Sequence, residues 1–409
     1  MTALYDPISQ RMSLDWLLNP VAAGDFFCNN WEKQPLLISR ESGEYFSGLP
    51  GLDSVEELIT ATSAGLIRSN RDGRIVRCNP EGDVSERDFR LNAKGMPNIH
   101  DIYRAYDSGY TVVINKVHCR ESAVAGLCRA LENALHHPVG ANLYLTPRNG
   151  QGFAPHMDTH DVFILQLHGT KEWHVGNPLR HLPLPLDEQG EVELLDFRKF
   201  TLTPGDVLYL PRGFPHEALT SASSSLHLTV GVYAYRWLDL MIETLSVLAD
   251  DSVQFRSALP PKFLSNSLGA AHTSELFKIF ADAFAGHELP ERAKERLGAK
   301  LFTEAKVAEP GHFRSLDAIQ DLTGDSTVFR SPGLLCKVRL GPTEASIAFS
   351  NNFVAGPLLL EPALRFVADH ERFAVRELPG EMTSEDKLDL VRRLISEGFL
   401  RMSNPSGGS

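Results

Sequence analysis

GQGFAPHMDTHDVFILQLHGTKEWHV (residues 150–175) and TPGDVLYLPRGFPHEAL (203–219) carry most of the information in this chain. HDVFILQLHG and KEWHVG are strand-length segments parted at Gly169 and Thr170, and DVLYLP is a third that runs into a tight Pro-Arg-Gly-Phe-Pro turn before His216. On either side, ANLYLT (141–146), KFTLTPG (199–205) and SLHLTVGVYAY (225–235) continue the series. Short strands spaced by Gly, Pro and Asn turns are the pattern of an all-β barrel or sandwich.

Outside this middle third the period changes. MSLDWLLNPVAAGDFFCNNW reads as two short helices broken at Pro20, and SVEELITATSAGLI as a helix with Ser54 as N-cap and Glu57 three residues on. TVVINK (111–116) is strand-like and ESAVAGLCRALENAL (121–135) is an amphipathic helix. Helix returns after Trp237 in WLDLMIETLSVLADD, SELFKIFADAFAGH and LPERAKERLGAKLFTEA, which suit a bundle or an interface. The last segment mixes strands (LLCKVRLG, ASIAFS, FAVREL) with helices (EPALRFVAD and TSEDKLDLVRRLISEGF, the latter stopped at Gly398) and closes on SNPSGGS, which reads as a frayed end.

The composition limits the function classes. A chain of 409 residues, at roughly 150 per domain, holds two or three domains. With 43% apolar and 22% charged residues it has the balance of a globular protein. A net charge of −12 argues against broad nucleic-acid or anionic-membrane binding. From Gly356 onward the balance is −2, without the basic face of a DNA-reading module. No apolar run approaches the roughly 18 residues of a membrane span, and the first residues do not read as a secretory signal. Five scattered cysteines without a CxxC pair fit reduced thiols, and no long Lys/Arg run suggests nuclear import, so a cytoplasmic location is expected.

His156 and Asp158 are two residues apart, so on a strand they leave the same face about 7 Å apart. His216, held by its Pro-rich turn, supplies a third donor. Two imidazoles and one carboxylate on one face leave octahedral positions free, which suits non-haem Fe(II) taking a co-substrate and dioxygen together. A structural zinc site would be closed by four protein ligands. Gly205-x5-Pro211-x-Gly213-x2-His216 fits the second motif of the cupin superfamily, and Gly150-x5-His156-x-Asp158 the first. Asp158 stands where a cupin has its second His, and Val162 where it has its Glu.

With these motifs the chain resembles the JmjC-type 2-oxoglutarate oxygenases and, within them, the ribosomal oxygenase (cupin-4) family, whose members hydroxylate ribosomal proteins. WEKQPLLI (31–38) and the late LISEGFL add to the resemblance. It implies a mixed α and β chain in three domains. Residues 1–240 would be a double-stranded β-helix (a cupin/JmjC jelly roll) with an N-terminal α/β extension, 241–310 a helical dimerisation domain, and 311–409 a winged-helix-like domain. It implies Fe(II), 2-oxoglutarate and O2 as cofactors, with His156, Asp158 and His216 as iron ligands. Lys171, fifteen positions past the first ligand, would pair with the distal carboxylate of 2-oxoglutarate, which is costly to bury without a cation. Asn142 would donate to the metal-binding end of the co-substrate, and Tyr144 would line the substrate entrance. The implied partners are a ribosomal protein, oxidised at Arg or His, and a second copy of the chain, with no membrane and no direct DNA binding.

Other readings share the triad: a hydroxylase of a peptide or amino acid in a biosynthetic pathway, and an N-methyl-lysine demethylase. Product mass separates them, hydroxylation adding an oxygen and demethylation removing a CH2. A cupin-fold regulatory protein without turnover is a third reading, opposed by the retention of all three ligands and Lys171. His160 and His227 are each open between a stand-in ligand, a partner behind the ligands and a satisfied barrel residue.

Overall fold

The alternation read from the sequence is realised as antiparallel sheet. The computed structural model describes residues 12–61, 72–178, 180–185, 192–266, 268–301, 311–331, 334–349 and 352–402. Its first strands are β1 (Leu36–Ile38), β2 (Gly73–Cys78), β3 (Val84–Asp88), β4 (Thr111–Ile114), β5 (Val139–Thr146) and β6 (Asp161–Gly169). They are followed by β7 (Lys171–Gly176), β8 (Phe197–Leu202), β9 (Val207–Leu210), β10 (His216–Leu219) and β11 (Ser225–Val232). Eight of them form one sheet in the order β1-β9-β6-β11-β5-β4-β2-β3, and three form a smaller sheet, β10-β7-β8. Sequence neighbours are seldom sheet neighbours in the larger sheet, as in a jelly roll.

Register assigns each residue its face. On β11, Leu226, Leu228, Val230 and Val232 are fully buried in the main core, so His227, Thr229 and Gly231 take the opposite face. β5 pairs with it residue for residue, Leu143 opposite Leu228 and Tyr144 opposite His227. β6 has no polar face because both sides are covered. Phe163 and Leu165 enter the main core, while Val162 and Ile164 join a second cluster with Trp173, Leu202 and Leu208. A strand covered on both faces reads as a continuous apolar run, as VFIL does.

The helix expected over 121–135 is Ser122–Leu135, its N-terminus capped by Glu121, whose Oε2 accepts from Val124 N at 2.7 Å. Val124, Leu127, Cys128 and Leu131 bury one stripe of it in the main core. The two short helices flanking Pro20 are Leu14–Leu18 and Ala23–Asn29. The helix near Ser54 is Val55–Ala61, and the Ser54 hydroxyl donates back to the Gly51 carbonyl at 2.8 Å. Its expected continuation past Ala61, the tail of the third late helix past Leu301, and the closing SNPSGGS lie outside the described residues.

Further along are β12 (Thr327–Arg330), β13 (Cys336–Leu340), β14 (Glu344–Phe349), β15 (Asn352–Pro357), β16 (Arg372–Ala374) and β17 (Leu400–Met402). They form two three-stranded sheets, β16-β12-β17 and β13-β14-β15. Helices Glu361–Asp369 and Ser384–Ser396 share a core with them. The second helix has a capping box: Thr383 N donates to Asp386 at 2.9 Å and Asp386 N to the Thr383 hydroxyl at 3.2 Å. It ends at Gly398 with φ +85°, a left-handed turn that glycine adopts without strain.

Contacts divide the chain into two compact units, Met1–Tyr233 with Ala305–Ser409, and Ala234–Glu304. The second unit is helical, with Trp237–Asp251, Val253–Arg256, Ala270–Ala285 and Glu288–Leu301. No helix among the described residues is long and apolar enough to cross a membrane. All five cysteines are free.

Candidate metal centre

The polar face of β5 and β11, with residues of β6, β7 and β10, lines a cavity of about 280 Å³. The HxD pair reaches it from a different backbone than the sequence suggested. His156 and Asp158 lie not within a strand but on the irregular segment between β5 and β6. Pro155 has no N–H to give a ladder, and the glycines at 150 and 152 interrupt the extended run. Instead His156 makes an isolated bridge with His216: each backbone N–H donates to the other's carbonyl, at 3.0 and 2.7 Å. The two histidines are thereby held side by side, with rings 4.5 Å apart.

Donor atoms of His156, Asp158 and His216 all lie within 4.8 Å of one another. The second nitrogen of each ring decides which atom faces the centre. His156 Nδ1 is 2.9 Å from the Ala154 carbonyl, and His216 Nδ1 is 3.0 Å from that of Phe214. A carbonyl can only accept, so Nδ1 carries the proton and Nε2 presents its lone pair. Burial and the neighbouring His156 push His216 down to about 4, which keeps it neutral at physiological pH. Burial pulls the Asp158 carboxyl up, but His160, His216 and His156 outweigh it and hold it below its ordinary range. Two imidazoles and one carboxylate match the open three-donor set of non-haem iron.

The two ligand segments are also braced from behind. Gly213 N donates to the Asp158 carbonyl at 2.9 Å. Gly213 has φ +87°, and a Cβ there would fall 2.2 Å from the Arg180 carbonyl oxygen, so the turn before His216 requires glycine. Arg212 Nη1 donates to the fully buried Asp161 at 2.6 Å and Nη2 to Glu32. Tyr209 OH donates to Asp161 at 3.2 Å and accepts from Glu32 N at 3.0 Å. The WEK motif is thus the outer partner of an ion pair that joins the Asp158 and His216 segments. No local pattern announces this network, because its members are dispersed along the chain.

Lys171 opens β7 inside the cavity, 5% exposed. Its Nζ donates to the Thr146 hydroxyl at 3.0 Å, and burial pushes it down to about 7. Asn142 and Tyr144 both line the cavity. Asn142 Oδ1 accepts from Lys116 N at 2.9 Å, which fixes its amide. Burial and the Asp158 charge push Tyr144 up to about 12, so its hydroxyl keeps its proton. His160 lines the wall stacked on Tyr233, ring centroids 4.8 Å apart, outside the ligand triad. Sequence reasoning missed Trp173, two residues past Lys171 and so on the same face, and Arg74 of β2, both of which line the cavity.

Residues 116–240 match the JmjC domain model. The chain is 34% identical over 282 residues to the bifunctional lysine-specific demethylase and histidyl-hydroxylase NO66 of Drosophila willistoni, covering 64% of this chain and 34% of that protein. It is 32% identical over 263 residues to ribosomal oxygenase 1 of Danio rerio, covering 61% and 46%. The chain therefore spans less than half the length of these curated relatives. Its fold is similar to that of the Escherichia coli ribosomal oxygenase YcfD in complex with cobalt and 2-oxoglutarate, with a TM-score of 0.57 at 18% identity, over 94% of this chain and 99% of the other.

Proposed function

We infer that this chain, a JmjC-domain member of the ribosomal oxygenase family, is an Fe(II)- and 2-oxoglutarate-dependent oxygenase that hydroxylates a side chain of a ribosomal protein. One observation carries the reading: the same cavity holds an open three-donor centre and a buried ammonium without a carboxylate partner among the described residues. A dicarboxylate that chelates a metal at one end satisfies both. His156, Asp158 and His216 would hold the iron, and Lys171 the distal carboxylate. Bound Fe(II) would supply the redox chemistry that couples decarboxylation of 2-oxoglutarate by O2, giving succinate and CO2, to insertion of one oxygen atom into a substrate C–H bond. The protein orients both reactants and excludes water. Asn142 and Tyr144 would present donors beside the metal, with Tyr144 at the substrate side. The similarity to ribosomal oxygenases and a histidyl-hydroxylase supports this reading, and succinate formation with Fe(II) and ascorbate tests it against His216→Ala. Turnover in the wild type that the variant lacks is the expected result, and equal turnover in both would remove the triad assignment.

Lys171 gives the reading a pH dependence. Its ammonium is present in the free protein below about 7 and is lost as the pH rises through that value. Affinity for 2-oxoglutarate should therefore fall above neutral pH, by up to about tenfold per unit. Titrating Mn(II)-loaded protein with 2-oxoglutarate at pH 6.5 and 8.5 measures it (conditions roughly half a unit below and 1.5 above the pKa). Lys171→Ala should raise the 2-oxoglutarate requirement at both, and an unchanged requirement would move the carboxylate partner elsewhere.

The proposed target side chain is Arg or His; Arg74, which lines the cavity, is paired with Glu86 at 3.4 Å, so its charge is offset and does not select between them. Mass spectrometry of ribosomal proteins incubated with the enzyme reads which residue gains oxygen.

Residues 241–310 are proposed as a dimerisation domain, 311–409 as a winged-helix-like domain and 1–240 as the oxygenase domain. In support of the first, residues 241–310 include Ile242 and Phe277, exposed to 54 and 70%, apolar side chains that a pairing surface would cover. The expected species in sedimentation is a homodimer, and a monomer at all concentrations would refute the assignment. The acidic balance after Gly356 supports protein contact over DNA binding. The free cysteines suit the cytoplasm.

A further inference from the structure

One wall of the cavity gathers polar atoms that lack hydrogen-bond partners. Lys171 Nζ uses one hydrogen on Thr146 and lies 5.7 Å from the Trp173 ring. Trp173 Nε1 and His227 Nδ1 are buried with no hydrogen-bond partner among the described residues. Unmatched polar atoms of this kind are rare in folded proteins and call for a reason. His227 is 2% exposed, lines the cavity, and packs against two rings: it lies 4.9 Å from that of Tyr144 at 3°, and edge-on to Trp173 at 5.4 Å.

The tautomer follows from burial. Burial and the nearby Lys171 hold His227 well below its ordinary range, so the ring is neutral and carries one proton. Of the two ring nitrogens only Nδ1 is closed off without a partner, and His227 lines the cavity; a closed-off lone pair costs less than a closed-off N–H, which places the proton on Nε2. A neutral N–H donor beside an ammonium complements a carboxylate: one donor for each oxygen, with a single positive charge to desolvate. Two adjacent cations would have been far more costly to bury.

We propose that His227 is a second holder of the distal carboxylate of 2-oxoglutarate, donating from Nε2–H to one oxygen while Lys171 pairs with the other. This rests on the co-substrate assignment above. The competing role is packing alone, as a flat ring filling the space beside Tyr144.

The test compares two probes on Mn(II)-loaded protein by calorimetry: 2-oxoglutarate, and 2-oxopentanoate, which has a methyl group in place of the distal carboxylate. His227→Phe keeps the stacked ring and removes the donor. It should weaken 2-oxoglutarate about tenfold or more while leaving 2-oxopentanoate and Mn(II) affinity unchanged. His227→Gln, which restores an N–H, should recover part of the loss. Should His227→Phe not fold, His227→Leu is the second donor-free variant. Unchanged 2-oxoglutarate binding in a folded donor-free variant overturns the proposal, as does equal weakening of both probes, which is the packing result. Absence of 2-oxoglutarate binding in the wild type would instead overturn the co-substrate assignment itself.

Discussion

Asp158→Ala should abolish metal binding and 2-oxoglutarate turnover while leaving the fold standing. The substitution leaves two imidazoles, which bring no negative charge, and the carboxylate is the donor that offsets the metal's charge within the triad. Even removal of groups behind the ligands weakens metal sites by about 10–100-fold, so loss of a ligand should cost at least about a hundredfold in Mn(II) affinity. Stability should change little, because Asp158 is 28% exposed and the bond bracing its segment, to Gly213 N, comes from its backbone. Calorimetric Mn(II) titration beside a thermal melt separates the two effects. Full turnover in the variant would remove Asp158 from the site.

Arg212→Met should act in the opposite way, on stability first. It leaves the Asp161 carboxylate, which has no exposure, without its cation, held only by the Tyr209 hydroxyl and the backbone N–H of residue 212. Breaking a buried ion pair from one side costs about 3–5 kcal/mol. Burial already pulls the Asp161 carboxyl above its ordinary range against the guanidinium beside it. The cost of dehydrating this pair is therefore large. Arg212→Met with Asp161→Leu should recover most of the loss, since removing both charges removes that cost as well. Urea unfolding of the two single variants and the double variant measures the coupling. A single variant within about 1 kcal/mol of wild type would show that the pair does not brace the two ligand segments.

What could be read from the sequence was whatever repeats at short range. β5, β6, β7, β9 and β11 were legible because their apolar residues meet a core at a period of two or on both faces. Asn142 and Tyr144 were placed on one face by the same rule, and both line the cavity. The edge strand β3 was not legible: VSERD is almost wholly exposed and has no buried face to impose a period. The pairing of Arg212 with Glu32 depends on closure of the barrel, which no window of sequence contains. His227 was visible as a histidine on a strand, but its place in the cavity between Tyr144 and Trp173 is a property of three-dimensional packing. The HxD motif was read as part of a strand, whereas its residues lie on an irregular segment beside His216, because Pro155 and the neighbouring glycines moved its hydrogen bonds there.

The reciprocal backbone bond between His156 and His216 also bears on how the protein is made. Sixty residues separate the two histidines, and the intervening chain supplies β6 to β9. A growing polypeptide that has emerged only as far as β9 has two donors and nothing to set them against. Contacts of such long sequence separation are closed late, after the loop entropy has been spent. Uptake of the metal should then lag behind burial of the core during refolding.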